Sequence, residues 1–159
     1  MTSDKTETVG IALIGLGTVG TAVARVLLQE PHRMNRRSGN TLHLKRIVVN
    51  NMGKARNVDV PSGLMTDRID DVLEDPDITL AIQLVGGISP AKELMMALLD
   101  AGKDIVTANK ALLADEGIEL FSHARQRGRT IAFEGAVAGG IPIVNAVLQG
   151  LAANEITQF

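Results

Sequence analysis

Val9-Gly-Ile-Ala-Leu-Ile-Gly-Leu-Gly-Thr-Val-Gly20, running on into Thr21-Ala-Val-Ala-Arg-Val-Leu-Leu-Gln29, is the stretch that decides the fold. Val9 to Ile14 is a short, nearly continuous apolar run with turn chemistry behind it, as expected of a strand buried on both faces. Thr18 to Gln29 then carries Val19, Ala22, Val23, Val26 and Leu27 at helical spacing. Between them Gly15-Leu16-Gly17-Thr18-Val19-Gly20 fits G-x-G-x-x-G, and a buried strand before it with an apolar-striped helix after it is the context the motif requires. The first glycine makes the tight turn, the second lets backbone approach a pyrophosphate, and the third packs helix against strand. The helix N-terminus attracts the phosphate charge. A ligand-free strand-to-helix turn is the alternative; the context favours a dinucleotide.

Working outward, short apolar runs alternate with longer amphipathic ones. Leu44–Val49, Thr79–Val85, Asp104–Thr107 and Thr130–Phe133 read as further strands. Ser89-Pro90 opens a helix reaching Ala101, with the serine hydroxyl as N-cap, Pro at the first helical position, and Leu94, Met95, Leu98 and Leu99 as its stripe. Arg68–Leu73 gives one or two helical turns. Asp115–Arg127 forms a helix with Ile118, Phe121 and Ala124 inward and His123 outward, and Pro142 starts a last helix reaching about Ala152. The polar stretch from Glu30 to Asn40, with Pro31, Gly39 and three arginines, predicts a loop or insertion, and 50–66 reads as irregular. Strands alternating with helices argue for right-handed βαβ units. The expected fold is α/β, a Rossmann-type doubly wound parallel sheet in three αβα layers. Its domain spans 1–153, with 31–42 as a polar insertion.

Composition removes several functions. At 159 residues and 45% hydrophobic content the chain can bury a sizeable core. Sixteen Lys+Arg against 18 Asp+Glu gives a net charge of -2, which speaks against a basic nucleic-acid surface over the whole domain. The absence of cysteine excludes disulfides, thiolate zinc sites and cysteine nucleophiles. Three Phe with no Trp or Tyr cannot build a base-stacking platform. Met1 to Thr8 lacks the signature of a signal peptide, and no apolar run approaches the roughly 20 residues that cross a bilayer. A cytoplasmic location with no membrane partner is the expectation.

Four further segments fall at strand ends, where ligands of a doubly wound sheet bind. Asn50-Asn51 follows the second strand without the acid that would hold a ribose 2'-OH, and Lys54 and Arg56 lie just beyond. That arrangement tilts toward a 2'-phosphate and NADP, with solvated loop charges as the other reading. Val85-Gly86-Gly87 allows the chain to pass close to a nicotinamide, or is a flexible turn. Thr107-Ala108-Asn109-Lys110 offers a lysine that could stabilise negative charge on a reacting oxygen during hydride transfer, although a lone lysine is commonly a surface residue. Glu134 to Ile141 places a carboxylate in a glycine-rich turn, a pattern that more often only connects strand to helix.

Together these segments resemble the nucleotide-binding half of homoserine dehydrogenase. The resemblance rests on Gly15-Leu-Gly-Thr-Val-Gly20, Leu84-Val-Gly-Gly-Ile88 with Pro90-Ala91, Thr107-Ala-Asn-Lys110, and above all Phe133-Glu-Gly-Ala-Val-Ala-Gly-Gly-Ile-Pro-Ile143. It implies oxidation of L-homoserine to aspartate 4-semialdehyde, or the reverse, with NAD or NADP. It further implies that the glycine loop holds the pyrophosphate, that Gly86 lies along the cofactor, and that Lys110 stands beside nicotinamide and substrate. Glu134, with the backbone of Val137, Gly139 and Ile141, matches the family's monovalent-cation site, usually Na+. The sequence departs from the family at Gln83, commonly acidic there, at Gly135-Ala136, commonly Ala-Ser, and at Asn50-Asn51, often Arg-Asp, which leaves NAD against NADP open. The family continues into a second domain with the homoserine contacts and the homo-oligomer interface. Residues 154–159 would lead into it, so cofactor binding with little or no turnover is expected of these residues alone. A stand-alone dinucleotide sensor or regulatory module on the same fold is the alternative.

Overall fold

The computed structural model describes residues 7–154. Six strands form one sheet: β1 (Thr8–Ile14), β2 (Thr41–Val48), β3 (Met65–Thr66), β4 (Ile78–Gln83), β5 (Asp104–Thr107) and β6 (Ile131–Ala132). Their order is β3-β2-β1-β4-β5-β6, and every neighbouring pair is parallel. The helices are α1 (Thr18–Gln29), α2 (Pro31–Ser38), α3 (Asp70–Leu73), α4 (Ala91–Asp100), α5 (Lys110–Gln126) and the short α6 (Ile143–Asn145), which runs into a π-helical stretch, Ala146–Gly150. This is the expected doubly wound α/β sheet, with its chain reversing direction across the sheet between β1 and β4.

Period-2 side-chain alternation builds the three layers. Ile11 and Leu13 of β1 face a core shared with Leu44, Ile47 and Ala24 of α1. Ala12 and Ile14 face the opposite core, with Met95, Leu98 and Leu99 of α4 and Leu112, Leu120 and Ala124 of α5. All four β1 side chains are at most 1% exposed, which explains why the strand reads as an unbroken apolar run.

Several local expectations are corrected. The stretch at 31–38 is not a loop but α2: Pro31 stands at its first position, and Gly39 ends it in the left-handed region at φ 74°. It carries no buried residue, so no apolar stripe announces it. The side chain of Asn35 fastens it to β2 by accepting from Leu42 N at 2.9 Å. Helix α5 starts at Lys110 rather than Asp115 because the Asn109 side chain caps it, accepting from Leu112 N at 3.2 Å. The helix packs through Leu112, Leu120 and Ala124, which leaves Ile118 outward, 92% exposed, and His123 half-buried with Nε2 2.7 Å from Asp100 Oδ1. On α1 the buried residues are Gly20 and Ala24, while Val19 is 55% exposed and Ala22 is exposed too. Pro90, not Ser89, is the N-cap of α4. The peptide between them is cis, and the Ser89 hydroxyl lies against Glu93 Oε1 at 3.3 Å. β3 falls within the stretch read as irregular. Residues 155–159, read as the lead into a second domain, lie outside the described residues.

Candidate functional site

Because all strands run parallel, the loops after β1, β2, β4, β5 and β6 open on one edge of the sheet. Those loops, with the starts of the helices that follow them, hold the candidate site residues. In the first, Gly15 has φ +98° and donates to Val48 O at 2.9 Å. A Cβ on Gly20 would stand 2.2 Å from Gly15 O, so the third glycine is what lets α1 seat on β1. Gly17 is the N-cap of α1 with no capping side chain, and a Cβ there would meet nothing within 4 Å. Open space therefore lies beside Gly17, at the N-terminus of a 12-residue helix, where a pyrophosphate can approach. Leu16 is buried at 7% exposure and anchors the turn in the core, whereas Thr18 and Val19 are exposed.

Beside this turn is a cleft of about 430 Å³, with Gly17, Thr18, Thr21 and Arg25 on the α1 side and Lys54, Arg56 and Asn57 among the residues across from it. Asn50 is exposed at the end of β2. Asn51 turns its Oδ1 onto Gly53 N at 2.9 Å, closing its own loop. Arg56 donates to Lys54 O at 2.8 Å and to Asn51 O at 2.6 Å. Its Nε is buried with no partner among the described residues. Arg25 donates to Asn57 O at 2.7 Å and so ties α1 to the loop. The sequence does carry a signal for Arg25: it follows Thr18, Thr21 and Ala22 on one helical face beyond the glycine turn. A larger cleft, about 470 Å³, lies on α4 and α5 and is lined by none of the residues expected at the site.

The ends of β4 and β5 are joined by Gln83, Thr107 and Asn109, to none of which the sequence assigned a role, Gln83 standing out only as a departure from the family. Gln83 is fully buried, donates to Val85 O at 2.8 Å and accepts from the Thr107 hydroxyl at 2.8 Å. That hydroxyl accepts from Asn109 N at 3.1 Å. Asn109 donates to Val85 O at 3.0 Å and Gly87 O at 2.6 Å. These bonds depend on β4 lying next to β5, which no local pattern reveals. Gly86 is exposed, with open space where a Cβ would be. Lys110 is the exposed first residue of α5.

In the last loop the Glu134 carboxylate accepts from Val144 N at 2.9 Å and Asn145 N at 3.0 Å, capping α6. Val137 lies between two 3-10 turns, Glu134–Ala136 and Ala138–Gly140; Gly139 lies in the second, and Ile141 just after it is 66% exposed. Gly139 has φ +58°. A carboxylate oxygen that accepts one N–H keeps a lone pair and suits a hard cation, while the Ile141 carbonyl accepts from Ile143 N at 2.8 Å. Among the described residues, no group of three or more His, Cys, Asp or Glu side chains converges as a metal site.

The model of the homoserine dehydrogenase NAD-binding domain matches residues 15–134. The homoserine dehydrogenase of Bacillus subtilis is 36% identical over 153 residues, 96% of this chain and 35% of that protein. The crystal structure of a homoserine dehydrogenase from Thiobacillus denitrificans aligns with a TM-score of 0.84 at 41% identity, covering 94% of this chain and 34% of that one. A hyperthermophilic archaeal homoserine dehydrogenase, solved in complex with NADPH, shares the fold at a TM-score of 0.66 and 21% identity, covering 88% and 48%. The chain thus spans about a third of the length of the Bacillus and Thiobacillus proteins.

Proposed function

The chain belongs to the family of homoserine dehydrogenase NAD-binding domains, and on that premise we propose that it provides the cofactor half of a hydride-transfer site acting on L-homoserine or aspartate 4-semialdehyde. The observation that carries this reading is the glycine turn, where Gly20 is sterically required and Gly17 faces open space at a helix N-terminus. The backbone of Gly15 to Gly20 holds the pyrophosphate, with Leu16, Thr18 and Val19 setting its shape. Asn50 and Asn51 border the adenosine ribose, and Gly86 lies along the nicotinamide. NADP is favoured over NAD, because Arg25, Lys54 and Arg56 surround the adjoining cleft and no carboxylate stands at the end of β2 to hold a free 2'-OH.

The bound nicotinamide supplies the hydride acceptor or donor. Lys110 stabilises negative charge on the substrate oxygen, from the first position of α5. Glu134 with the carbonyls of Val137, Gly139 and Ile141 is assigned to a hard monovalent cation, in keeping with an all-oxygen donor set. Hydride transfer also requires homoserine held against the cofactor. We assign those contacts to sequence beyond the third that this chain spans, so these 159 residues bind cofactor with little or no turnover.

Parallel titrations of NADPH and NADH, followed by cofactor fluorescence, test the reading; with no Trp or Tyr the chain contributes almost no background. Saturable binding with NADPH the tighter is expected. Binding of neither overturns the cofactor site, and tighter NADH overturns the role given to the three cations.

A further inference from the structure

We propose that Asn109 is a positioning residue, locked by Gln83 and Thr107, which holds the nicotinamide-side loop Val85–Gly87 and the Lys110 helix start in one fixed relation. The proposal rests on the reading of this edge as the nicotinamide end of the site. Every polar atom of the Asn109 side chain is committed. Both Nδ2 hydrogens go to the loop after β4, at Val85 O and Gly87 O, while Oδ1 caps α5 through Leu112 N. One planar amide therefore connects the loop that carries Gly86 to the helix whose first residue is Lys110.

The amide is itself held. Its residue is only 8% exposed, and its backbone N–H donates to the Thr107 hydroxyl. The Thr107 hydroxyl has one hydrogen and gives it to Gln83 Oε1. Gln83 Nε2 is then directed to Val85 O, which thus accepts from two side chains. In this buried setting each bond fixes the orientation of the next. The result for the loop is specific. The carbonyls on either side of Gly86 are both drawn onto Asn109, and Gly86 itself is left exposed with open space beside it. The backbone a cofactor would approach is presented, and it is presented from a rigid base.

Asn109→Asp is the informative variant, because a carboxylate still caps α5 through an oxygen but has no hydrogen for Val85 O or Gly87 O. NADH binding is read by cofactor fluorescence and ADP binding by calorimetry, on wild type and variant. ADP reports the glycine turn and the adenosine side without the nicotinamide loop, so a general loss of structure lowers both affinities. The expected result is about a tenfold loss of NADH affinity, the scale of one to two lost buried hydrogen bonds, with ADP affinity within about twofold and the bound nicotinamide emission shifted toward that of free cofactor. Equal losses for both ligands, or no loss for either, overturns the positioning role. Wild type that binds ADP but not NADH also overturns it, whereas wild type that binds neither overturns the cofactor reading itself. Should Asn109→Asp fail to fold, Thr107→Val cuts only the link between Gln83 and Asn109 and is judged by the same split.

Discussion

A methyl group at position 20 would stand 2.2 Å from the carbonyl oxygen of Gly15, whereas one at position 17 would meet nothing within 4 Å. The two glycines of one motif are therefore required for different reasons. Gly20→Ala forces α1 away from β1, an overpacking cost of about 1–3 kcal/mol. Gly17→Ala leaves stability within about 0.5 kcal/mol of wild type but puts a methyl where the pyrophosphate is assigned. Urea unfolding together with NADPH titration separates them: Gly20→Ala lowers the unfolding midpoint, and Gly17→Ala keeps the midpoint and loses the cofactor. Unchanged binding in Gly17→Ala sinks the pyrophosphate assignment. These glycines were legible in the sequence because the motif fixes their spacing and order. The helical face of Arg25 was legible too, but its bond to Asn57 was not, because the two lie 32 residues apart and only the packed loop brings them together.

Strand positions were legible wherever apolar residues ran together, and β5 has its expected bounds, Asp104–Thr107. Helix bounds were legible where the apolar stripe set them, as for α1 at Thr18–Gln29. They were not where a cap set them: α5 starts five residues before Asp115 because of the Asn109 side chain, and α2 is defined by Pro31 and Gly39 with nothing buried. The opposite edge of the sheet shows another tie between elements that local pattern misses. Lys45 of β2 reaches Asp75 at 2.9 Å and Asp77 at 3.0 Å, in the turn that leads into β4. Lys103, 4% exposed just before β5, donates to Asp75 O at 2.7 Å, and burial pushes its pKa below the usual lysine value. The Lys45 ammonium, hydrogen-bonded to the Asp75 carboxyl, holds that carboxyl below its ordinary range. On acidification the unfolded chain is thus protonated at this position before the folded one. Stability from the pair is complete above the ordinary aspartate pKa of about 4 and is lost as pH falls through the lower folded value. Asp75→Asn should be less stable than wild type at pH 6 and lose stability less steeply between pH 5 and 2, measured by urea unfolding across that range. Parallel curves would remove the pair from the account of acid unfolding.

At the scale of the molecule, one parallel sheet collects loops that are far apart in sequence onto a single edge, and this is why the candidate site could be named from strand ends before any contact was visible. What strand ends do not convey is how the loops are fastened to one another: Arg25 to Asn57, Asn109 to Val85 and Gly87, Glu134 to Val144 and Asn145. The first two ties cross between segments assigned to the cofactor and the third closes the loop assigned to the cation, so on that assignment the folded arrangement is the binding arrangement, and an unfolded chain offers the dinucleotide nothing comparable. Ligand that binds only the folded state adds about 2.7 kcal/mol at a hundredfold excess over Kd, and for a chain of this size that is an upward shift in Tm of about 5–10 °C. Thermal unfolding with NADPH, NADH and ADP at matched multiples of their Kd should give matched shifts, while at equal concentration NADPH should give the largest. Gly17→Ala should unfold at the wild-type temperature without ligand and show almost no shift with any of the three. A full shift in Gly17→Ala would place the dinucleotide elsewhere on the molecule, and the cleft on α4 and α5 would then be the region to probe.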